Sequence, residues 1–560
     1  MKLILNKYYS QNANNSKPDL ILKGYICQIL RSFIMKLAIS TFLIMLTLLS
    51  EAQSEFTRVK DIFPSGSSDP TGFVVINGRL LCVADDGIHG RELFEIDSLG
   101  SDCNLFKDIN PYAGSTPFGF VYFDNKYWFG ANDGVYGTEL WTTDGSADGT
   151  QRFMDTVSPG DMCYGELVLA DNKLFFARNG PNGSELWVTF GSHEETMLVK
   201  NIGPEMIDSP SGILALDGKI YFIAYDNYWG LWVSDGTETG TRLIKRTCPI
   251  FQYGCSVSNV QVCGRKVYFQ VFDFNLGAEL WALDTETDSV FLVKDINPTG
   301  SSDPYSLTVF NDRLYFSADD GVHDSELWTT DGTLEGTYMV KDINPSGLSF
   351  PNTFTIYKGR MYFSAQDGVH GWELWSSDGT EIGTIMVKDC NPSGNFYLDS
   401  FVAFQDKLYF RGSDDTGKAM WVTDGTQEGT RKVEPPIQYN ANPLLTYPHW
   451  MEYNNALYMG AEYDSAGKEL WKLTSNSTAI PDYELRAFSI YPNPAHNTIM
   501  IQGLSNKFEL TIFDITGKPI ISQKTDNMEC IIDIQKFNAG FYFISINQSG
   551  KLKKMKFIKQ

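Results

Sequence analysis

Short runs in which apolar and polar residues alternate fill the middle of the chain, and they predict β-strands. The run RLYFS from Arg313 to Ser317 is typical. Successive side chains of a strand point to opposite faces, so such runs fit strands with one buried face. Long apolar stripes at helical spacing are missing from this region. The pattern therefore predicts an all-β fold.

The strand-like runs recur with a fixed period, which is measured by the aromatic residue of the tripeptide ELW. Successive anchors lie 45 to 50 residues apart. A period of this length indicates a repeat architecture in place of separate cores. The anchors are Phe94, Trp141, Trp187, Trp232, Trp281, Trp328, Trp375, Trp421 and Trp471.

Each unit contains four strand-like runs joined by turn sequences. In the copy from Ser306 to Ile343 the runs are SLTVF, RLYFSA, ELWTT and TYMVKDI. Tight turns such as Asn311-Asp312 separate them, and a longer polar link, Asn344–Gly347, follows the fourth run. This order predicts a four-stranded antiparallel sheet and a step to the next sheet, as in a β-propeller blade. A straight β-solenoid is the structural rival.

The phase of the repeats favours a closed ring over residues 53–474. An isolated copy of the fourth run, Thr57–Ile62, precedes the first unit, and the last unit ends at its third run, Lys468–Leu473. The N-terminal strand can therefore complete the last sheet, and closure removes the exposed edges of an open array. We expect about nine blades, which exceeds the usual range of about four to eight. The alternative is eight blades and one displaced unit.

The repeated segment resembles the ELWxxDGT repeat family of bacterial surface proteins, also grouped with hyalin-like repeats. It reads ELWTTDGSADGT from Glu139, ELWTTDGTLEGT from Glu326 and ELWSSDGTEIGT from Glu373. The resemblance implies an exported repeat protein and carries no established activity.

The last part of the chain, residues 487–560, follows a polar linker at 475–486 and lacks the ELW period. Its alternating runs predict a small Ig-like β-sandwich. It resembles the type A C-terminal sorting domain of the type IX secretion system, which occurs in Bacteroidetes. The resemblance implies contact with that secretion machinery, removal of the domain, and release or attachment to surface lipopolysaccharide. The motif residues are Tyr491, Pro492, Asn493, Pro494, Asp514, Gly517, Gly540 and Tyr542.

The N-terminal region, residues 1–52, has the pattern of a secretory signal peptide that starts at Met35. One lysine precedes an apolar run, and Ser50 and Ala52 stand at the small-residue positions before Gln53. The run is too short to span a membrane comfortably, which disfavours an anchor. We expect cleavage after Ala52 and a protein that is secreted or displayed on the outer cell surface.

Composition excludes one class of partner and leaves the redox state open. The formal net charge of −23 repels phosphate backbones, so we expect no nucleic-acid binding. Nine cysteines are present without a CxxC pair or zinc-type spacing. Cys248, Cys255 and Cys263 crowd one irregular repeat, where a disulfide is compatible with an oxidising compartment.

The repeated acidic, histidine and tryptophan residues are interpreted as structural. The Asp-Gly segments, such as Asp319–Gly321, offer oxygen ligands for calcium but lack the spacing of a calcium loop, so we expect no cofactor. His89, His323 and His370 share one repeat position, which spreads them around a ring. The ELW tryptophans fit the core between blades better than a sugar-stacking ladder.

Candidate ligand-binding residues lie where the repeat is broken. Tyr228, Trp229, Tyr253, His449 and Trp450 provide aromatic side chains in three such places. No Ser-His-Asp order, paired-carboxylate motif or phosphate loop stands among them. We therefore favour a non-catalytic adhesion or recognition platform for glycans or proteins. A polysaccharide hydrolase or lyase with acids at the channel mouth is the alternative, and a structural spacer is a third possibility.

Overall fold

The computed structural model describes most of the repeat region and much of the C-terminal region. The described residues are 54–153, 167–180, 183–203, 210–226, 228–249, 260–273, 275–434, 449–475, 489–491, 495, 497–502, 508–514, 518–525, 530–537, 540–548 and 551–559.

The first half of the repeat region contains strand β1 and four sheets of four strands each, numbered sheets 1 to 4 in chain order. The strands are β1 (Ser54–Lys60); in sheet 1 β2 (Thr71–Ile76), β3 (Arg79–Asp85), β4 (Arg91–Ile96) and β5 (Cys103–Lys107); in sheet 2 β6 (Phe118–Phe123), β7 (Lys126–Asn132), β8 (Thr138–Thr143) and β9 (Gln151–Arg152); in sheet 3 β10 (Val168–Ala170), β11 (Lys173–Gly180), β12 (Gly183–Thr189) and β13 (Thr196–Lys200); and in sheet 4 β14 (Ser211–Leu216), β15 (Lys219–Tyr225), β16 (Tyr228–Ser234) and β17 (Arg242–Pro249).

The second half contains sheets 5 to 8 and three strands of sheet 9. The strands are, in sheet 5, β18 (Gln261–Cys263), β19 (Lys266–Asp273), β20 (Gly277–Asp284) and β21 (Ser289–Leu292); in sheet 6 β22 (Tyr305–Phe310), β23 (Arg313–Asp319), β24 (Ser325–Thr330) and β25 (Tyr338–Lys341); in sheet 7 β26 (Asn352–Tyr357), β27 (Arg360–Gln366), β28 (Trp372–Ser377) and β29 (Ile385–Lys388); in sheet 8 β30 (Tyr397–Phe404), β31 (Lys407–Asp414), β32 (Gly417–Thr423) and β33 (Arg431–Lys432); and in sheet 9 β34 (Met451–Tyr453), β35 (Ala456–Ala461) and β36 (Glu469–Ser475).

Sheets 1 to 8 follow the order of the chain, with neighbouring strands antiparallel. In sheet 6 the middle strands β23 and β24 pair from Leu314 with Thr330 to Asp319 with Ser325. Strands at the centre of each sheet are the most buried because they are covered on both faces, as in RLYFSAD of β23. No helix occurs among the described residues. The protein is an all-β propeller, as the alternating pattern predicted.

Hydrophobic clusters join each sheet to the next and close the ring. Leu314 and Phe316 of sheet 6, for example, pack with Tyr268 and Leu280 of sheet 5. Equivalent clusters connect the other consecutive sheets from 1 to 9. One further cluster joins sheet 9 to sheet 1. The core is thus a series of interfaces between sheets, and the ELW tryptophans lie in it; Trp328, for instance, is 6% exposed.

Strand β1 supplies the fourth strand of sheet 9, next to β36. The contact extends past the strand, because the Ile62 N–H donates to Glu469 Oε2 at 2.8 Å. Val59 and Ile62 are buried against Leu80 of sheet 1 and Tyr458 of sheet 9. The N-terminal strand therefore completes the last sheet, in the way the orphan copy of the fourth run indicated.

The C-terminal region forms two further sheets that share a hydrophobic core. Ile499 and Ile532 of one sheet and Leu510 and Ile544 of the other are buried in it. The first sheet contains β37 (Ser489–Tyr491), β38 (Thr498–Gln502) and β41 (Cys530–Asp533), and the second contains β39 (Phe508–Phe513), β40 (Pro519–Thr525), β42 (Gly540–Gln548) and β43 (Lys551–Lys559).

Several predicted segments lie outside the described residues. These are the signal-peptide region 1–52 and nearly all of the linker at 475–486. Within the described part of the chain, no helix has the length and apolar character to cross a membrane.

Candidate functional site

The loops of the propeller lie on two opposite faces. Because strands alternate in direction, the turns between first and second strands share one end with the loops between third and fourth strands. The loops between second and third strands share the other end with the connections to the next sheet. The end that carries the connections to the next sheet is called the connection face. There Asn391, in the connection after sheet 7, donates to Asp415 Oδ1 of sheet 8 at 3.1 Å.

A buried glutamate at the start of the third strand organises the connections. Glu326 is fully buried and accepts hydrogen bonds from the Ile343 N–H at 2.7 Å and from Ser349 Oγ at 2.7 Å. Burial raises the pKa of Glu326 to about 7. The chain after the fourth strand is therefore wrapped around a carboxyl group. Glu92, Glu279, Glu373 and Glu469 bind their own connections in the same way.

The Asp-Gly-x-His loops form turns in which the acids bind the backbone. Asp320 Oδ1 accepts hydrogen bonds from the N–H groups of Val322 and His323, at 2.9 and 2.8 Å. His323 Nδ1 lies 2.8 Å from Asp320 Oδ2, and this hydrogen bond raises the pKa of the imidazole. His89 and His370 repeat the arrangement. Among the described side chains, no group of three His, Cys, Asp or Glu is placed to hold a metal ion.

The structure places the predicted ligand-binding residues in two different sectors of the connection face. Tyr228 and Trp229 begin β16 of sheet 4, and the Trp229 ring meets Tyr225 edge to face at 5.5 Å between centroids. His449 is exposed, and Trp450 packs against the cluster between sheets 8 and 9. Tyr253 lies outside the described residues. Tyr228 and Trp229 thus belong to sheet 4, whereas His449 and Trp450 directly precede β34 of sheet 9, and the role of all five residues as ligand contacts stays a prediction.

Four other aromatic residues lie close together on the connection face, and the sequence analysis did not single them out. We call Tyr305, Phe350, Trp372 and Tyr397 the aromatic rim. Tyr305 stacks on Phe350 at 5.4 Å with 17° between the ring planes, and Trp372 meets Phe350 at 6.3 Å and 81°. Tyr305 and Tyr397 are 43% and 57% exposed. The rim thus spans sheets 6, 7 and 8, with the two tyrosines exposed to solvent and Phe350 and Trp372 half-buried between them.

The rim lies at the beginning of the first strands, which surround the centre of the ring. Tyr305 begins β22 and Tyr397 begins β30, while Phe350 stands two residues before β26. The first strands β22, β26 and β30 of consecutive sheets approach each other. Asn395 connects two rim residues, because its Oδ1 accepts from the Trp372 N–H at 3.2 Å and its Nδ2 donates to the Tyr397 hydroxyl at 3.1 Å.

Carboxyl groups also occur beside the rim, and they differ in environment. Asp303 lies two residues before Tyr305 and accepts a 3.3 Å hydrogen bond from Gln270. Burial and the nearby Asp319 carboxylate raise the pKa of Asp303. Asp399, on β30, is paired with Arg411. A carboxyl group whose pKa is raised by burial and by a neighbouring carboxylate is typical of functional sites, so Asp303 is the acidic residue of chemical interest here.

The predicted sorting-motif residues are only partly described. Tyr491 ends β37, and Gly540 begins β42. The Asp514 N–H donates to the Lys518 carbonyl at 3.0 Å, and Asp514 Oδ1 accepts from the Lys518 N–H at 3.0 Å, which closes a hairpin. Tyr542 is buried and stacks on Phe557 at 5.4 Å. Pro492, Asn493, Pro494 and Gly517 lie outside the described residues.

Several solved structures resemble this chain weakly. PorZ, an essential bacterial surface component of the type IX secretion system of Porphyromonas gingivalis, is 12% identical, with a TM-score of 0.33 over 88% of this chain and 75% of PorZ. The β-propeller domain of the trilobed protease from Pyrococcus furiosus is 12% identical, with a TM-score of 0.30 over 57% and 98% of the two chains. Puromycin hydrolase is 12% identical, with a TM-score of 0.33 over 63% and 59%.

None of the curated proteins compared with the chain matches it in sequence. Residues 489–560 match the family described as the secretion system C-terminal sorting domain. This match covers the region in which the sorting motifs stand, and it supports the prediction of a type IX secretion substrate. Residues 489–560 therefore have the sequence of a secretion system C-terminal sorting domain, and this match indicates that the protein is exported to the outer cell surface or the medium.

Proposed function

We propose that the protein is a non-catalytic binding and adhesion platform, delivered by the type IX secretion system, whose ligand is a glycan or a protein. The aromatic rim carries this proposal. Tyr305 and Tyr397 are exposed, and Phe350 and Trp372 are half-buried beside them. Aromatic side chains grouped in this way on one face are typical of binding surfaces, because they supply a large contact area at low entropic cost. The sorting domain supports delivery to the place where such a ligand is met.

The construction of the connection face supports the same function. A binding surface is effective when its loops are already ordered, since ordering them on binding costs free energy. The connections after sheets 6 and 7 are held by the buried carboxyl groups of Glu326 and Glu373. The rim residues therefore extend from a supported framework.

We infer that the break in sheet 4 provides a second contact area on this face. The Tyr225–Trp229 ring pair stands there, with the Asp226–Arg246 ion pair beside it. Tyr228, Tyr253, His449 and Trp450 remain predicted ligand contacts. A ligand that spans several sheets reaches more than one of these areas, whereas a small ligand contacts one.

A glycan array and a pull-down from host and bacterial surface material, both with the purified exported protein, test the proposal. We expect a ligand that binds the wild type and binds the combined variant Trp229→Ala, Trp372→Ala at least about tenfold more weakly. The matched control is Leu334→Ala, an exposed apolar residue in a loop of the opposite face. Absence of any ligand, or equal loss in the control, contradicts the proposal.

One observation favours a second candidate function, a polysaccharide hydrolase or lyase. The raised pKa of Asp303, beside a second carboxylate and an aromatic platform, is the environment of a general acid. We expect such an enzyme to release reducing ends from a polysaccharide and the variant Asp303→Asn to release about a hundredfold fewer. Binding without any bond cleavage in the wild type excludes this candidate.

Attachment to surface lipopolysaccharide after removal of the sorting domain is also proposed. It follows from the sorting-domain match alone. Fractionation of cells decides between the bound and the released form: a protein that runs with lipopolysaccharide on gels and sediments with outer membranes is attached, and a protein found only in the medium is released.

A further inference from the structure

We propose that the aromatic rim binds an uncharged polysaccharide, whose sugar rings stack on the exposed aromatic faces. This inference rests on the proposed binding function and names the ligand class of its main site. It is carried by the geometry of Tyr305, Phe350, Trp372 and Tyr397, by the repeat positions they occupy and by the polar groups between them.

The rim has the shape that a sugar chain requires. The Tyr305 and Phe350 rings are stacked at 5.4 Å with 17° between their planes, so each ring covers part of one face of the other, and Tyr305 keeps 43% of its surface exposed for contact with a sugar ring. Trp372 stands almost perpendicular to Phe350 and forms a wall at the side. Pyranose rings present flat C–H faces that pack on aromatic rings, and the wall limits how the chain is oriented.

Phe350 and Trp372 stand where several other units have polar residues. Phe350 stands three residues before the left-handed residue of the first strand, and Asp69, Thr116 and Asp303 occupy that position in sheets 1, 2 and 6. Trp372 precedes the buried glutamate, where sheet 2 has Thr138 and sheet 6 has Ser325. The fold tolerates a small polar residue at both positions, so the aromatic rings are not needed to build the sheets.

Phe350 also occupies an unfavourable backbone conformation. Its φ is 44°, in the left-handed region. Asp visits this region far more readily than bulky apolar residues, because its short side chain makes local hydrogen bonds. A strained aromatic residue that remains partly exposed costs stability on two counts, and a role in binding explains its presence.

The polar groups around the rim fit hydroxyl groups better than charges. The Asn395 amide and the Tyr397 hydroxyl lie at the edge of the rings, and the Tyr397 hydroxyl accepts the Asn395 hydrogen bond, which leaves its O–H as a donor for a ligand. Asp303 and Gln270 border the other side. An acidic residue here and a net charge of −23 disfavour anionic polymers. The rim therefore selects a neutral chain over an acidic one.

In the deciding experiment, two rim residues of the full exported protein are replaced by the polar residues that another unit has at the same repeat positions. The variant Phe350→Asp, Trp372→Ser introduces the residues that stand at the equivalent positions of sheet 6, so the fold is kept. Affinity gel electrophoresis measures binding to neutral polysaccharides (xyloglucan, mixed-linkage β-glucan and mannan), to alginate as an anionic chain, and to a lysine-rich peptide. The matched control is Tyr112→Ala, which removes a 79% exposed aromatic ring elsewhere on the connection face.

We expect at least one neutral polysaccharide to retard the wild type and the control equally, with affinity for the repeat-restoring variant reduced at least about tenfold. Circular dichroism and the Tm verify that the variant is folded. Preference for alginate or for the lysine-rich peptide overturns the inference while the binding platform stands. Equal retardation of wild type and variant also overturns it. A wild type that binds no ligand of any class removes the platform as well.

Discussion

Sheets 7 and 4 differ in the residue that precedes the Leu-Trp pair of the third strand, and they differ in where the outer strand ends. In sheet 7 the buried Glu373 accepts hydrogen bonds from the Cys390 and Asn391 N–H groups at 2.7 and 3.3 Å, and β29 has only four residues. In sheet 4 the equivalent residue is Gly230, and β17 continues for eight residues until Pro249 pairs with Tyr228.

The difference shows that a carboxyl group and a strand ladder compete for the same part of the backbone. Each N–H group after the fourth strand needs an acceptor once it is buried. Where the glutamate is present, the chain leaves the sheet and wraps around it. In sheet 4, where Gly230 stands at this position, the strand keeps its ladder partners up to Pro249, and the sheet extends into the connection face. In sheet 8, where Ala419 stands there, β33 ends at Lys432, so the loss of the glutamate alone does not lengthen the outer strand.

The largest expected effect comes from removing the buried glutamate of a sheet that has one, such as Glu373 of sheet 7. Glu373→Ala leaves the Cys390 and Asn391 N–H groups buried without their acceptor, so we expect the free energy of unfolding to fall by about 3 to 5 kcal/mol. Urea unfolding followed by tryptophan fluorescence measures the change. The control Glu381→Ala removes an exposed carboxyl group of the same sheet and is expected to change stability by less than about 0.5 kcal/mol. Equal stability of the two variants contradicts the role assigned to Glu373.

The second prediction concerns how the free energy of unfolding changes with pH, because the sheets with a buried glutamate contain a titrating group. Burial raises the pKa of Glu326 from 4.5 to about 7, so the folded state binds this proton more tightly than the unfolded state. Its contribution to stability is therefore full below about pH 4.5 and is lost as the pH rises to about 7, by about 3 kcal/mol for this one group. Glu326→Gln does not titrate. Unfolding from pH 4 to 8 should show wild type and variant diverging across this window; parallel curves speak against the assignment.

The smallest effect is expected in the irregular sheet. A Cβ at Gly230 would lie 2.5 Å from Leu243 Cδ1 and 3.0 Å from the Lys245 carbonyl oxygen. We expect Gly230→Ala to lower the free energy of unfolding by about 2 kcal/mol through overpacking. Leu243→Ala makes room, so the double variant should lose less than the sum of the single variants. Strict additivity would mean that Gly230 is not in steric contact with the outer strand.

The alternation and the repeat phase were sufficient to predict the strands and the closing role of β1. Both depend on features that are local in sequence, such as RLYFSAD of β23 and the orphan run around Val59. The sequence also indicated a structural glutamate in ELW. It did not identify the groups that donate hydrogen bonds to this glutamate. In sheet 6 these donors are Ile343 and Ser349, which follow Glu326 by 17 and 23 residues in an irregular connection.

The aromatic rim was missed for a different reason. Phe350 and Trp372 look like ordinary apolar residues next to strands, and their contact depends on how two sheets are placed side by side. The predicted residues around Trp229 were chosen because the repeat is visibly broken there. A column-by-column comparison of the copies contains the missing signal, since Phe350 stands where Asp69 and Asp303 stand in other units.

The pairing of the N-terminal strand β1 with β36 in sheet 9 has a consequence for the order of folding. The Ile62–Glu469 hydrogen bond joins residues 407 positions apart, and bringing chain segments together over such a distance costs about 5 kcal/mol of loop-closure entropy. Most other sheets assemble from hairpins of a few dozen residues, which form early because their contacts are local. We therefore expect ring closure to be the final, slow event in folding. Until it occurs, β36 presents an unpaired edge, and the emerging chain is most open to wrong pairing at the junction of its two ends.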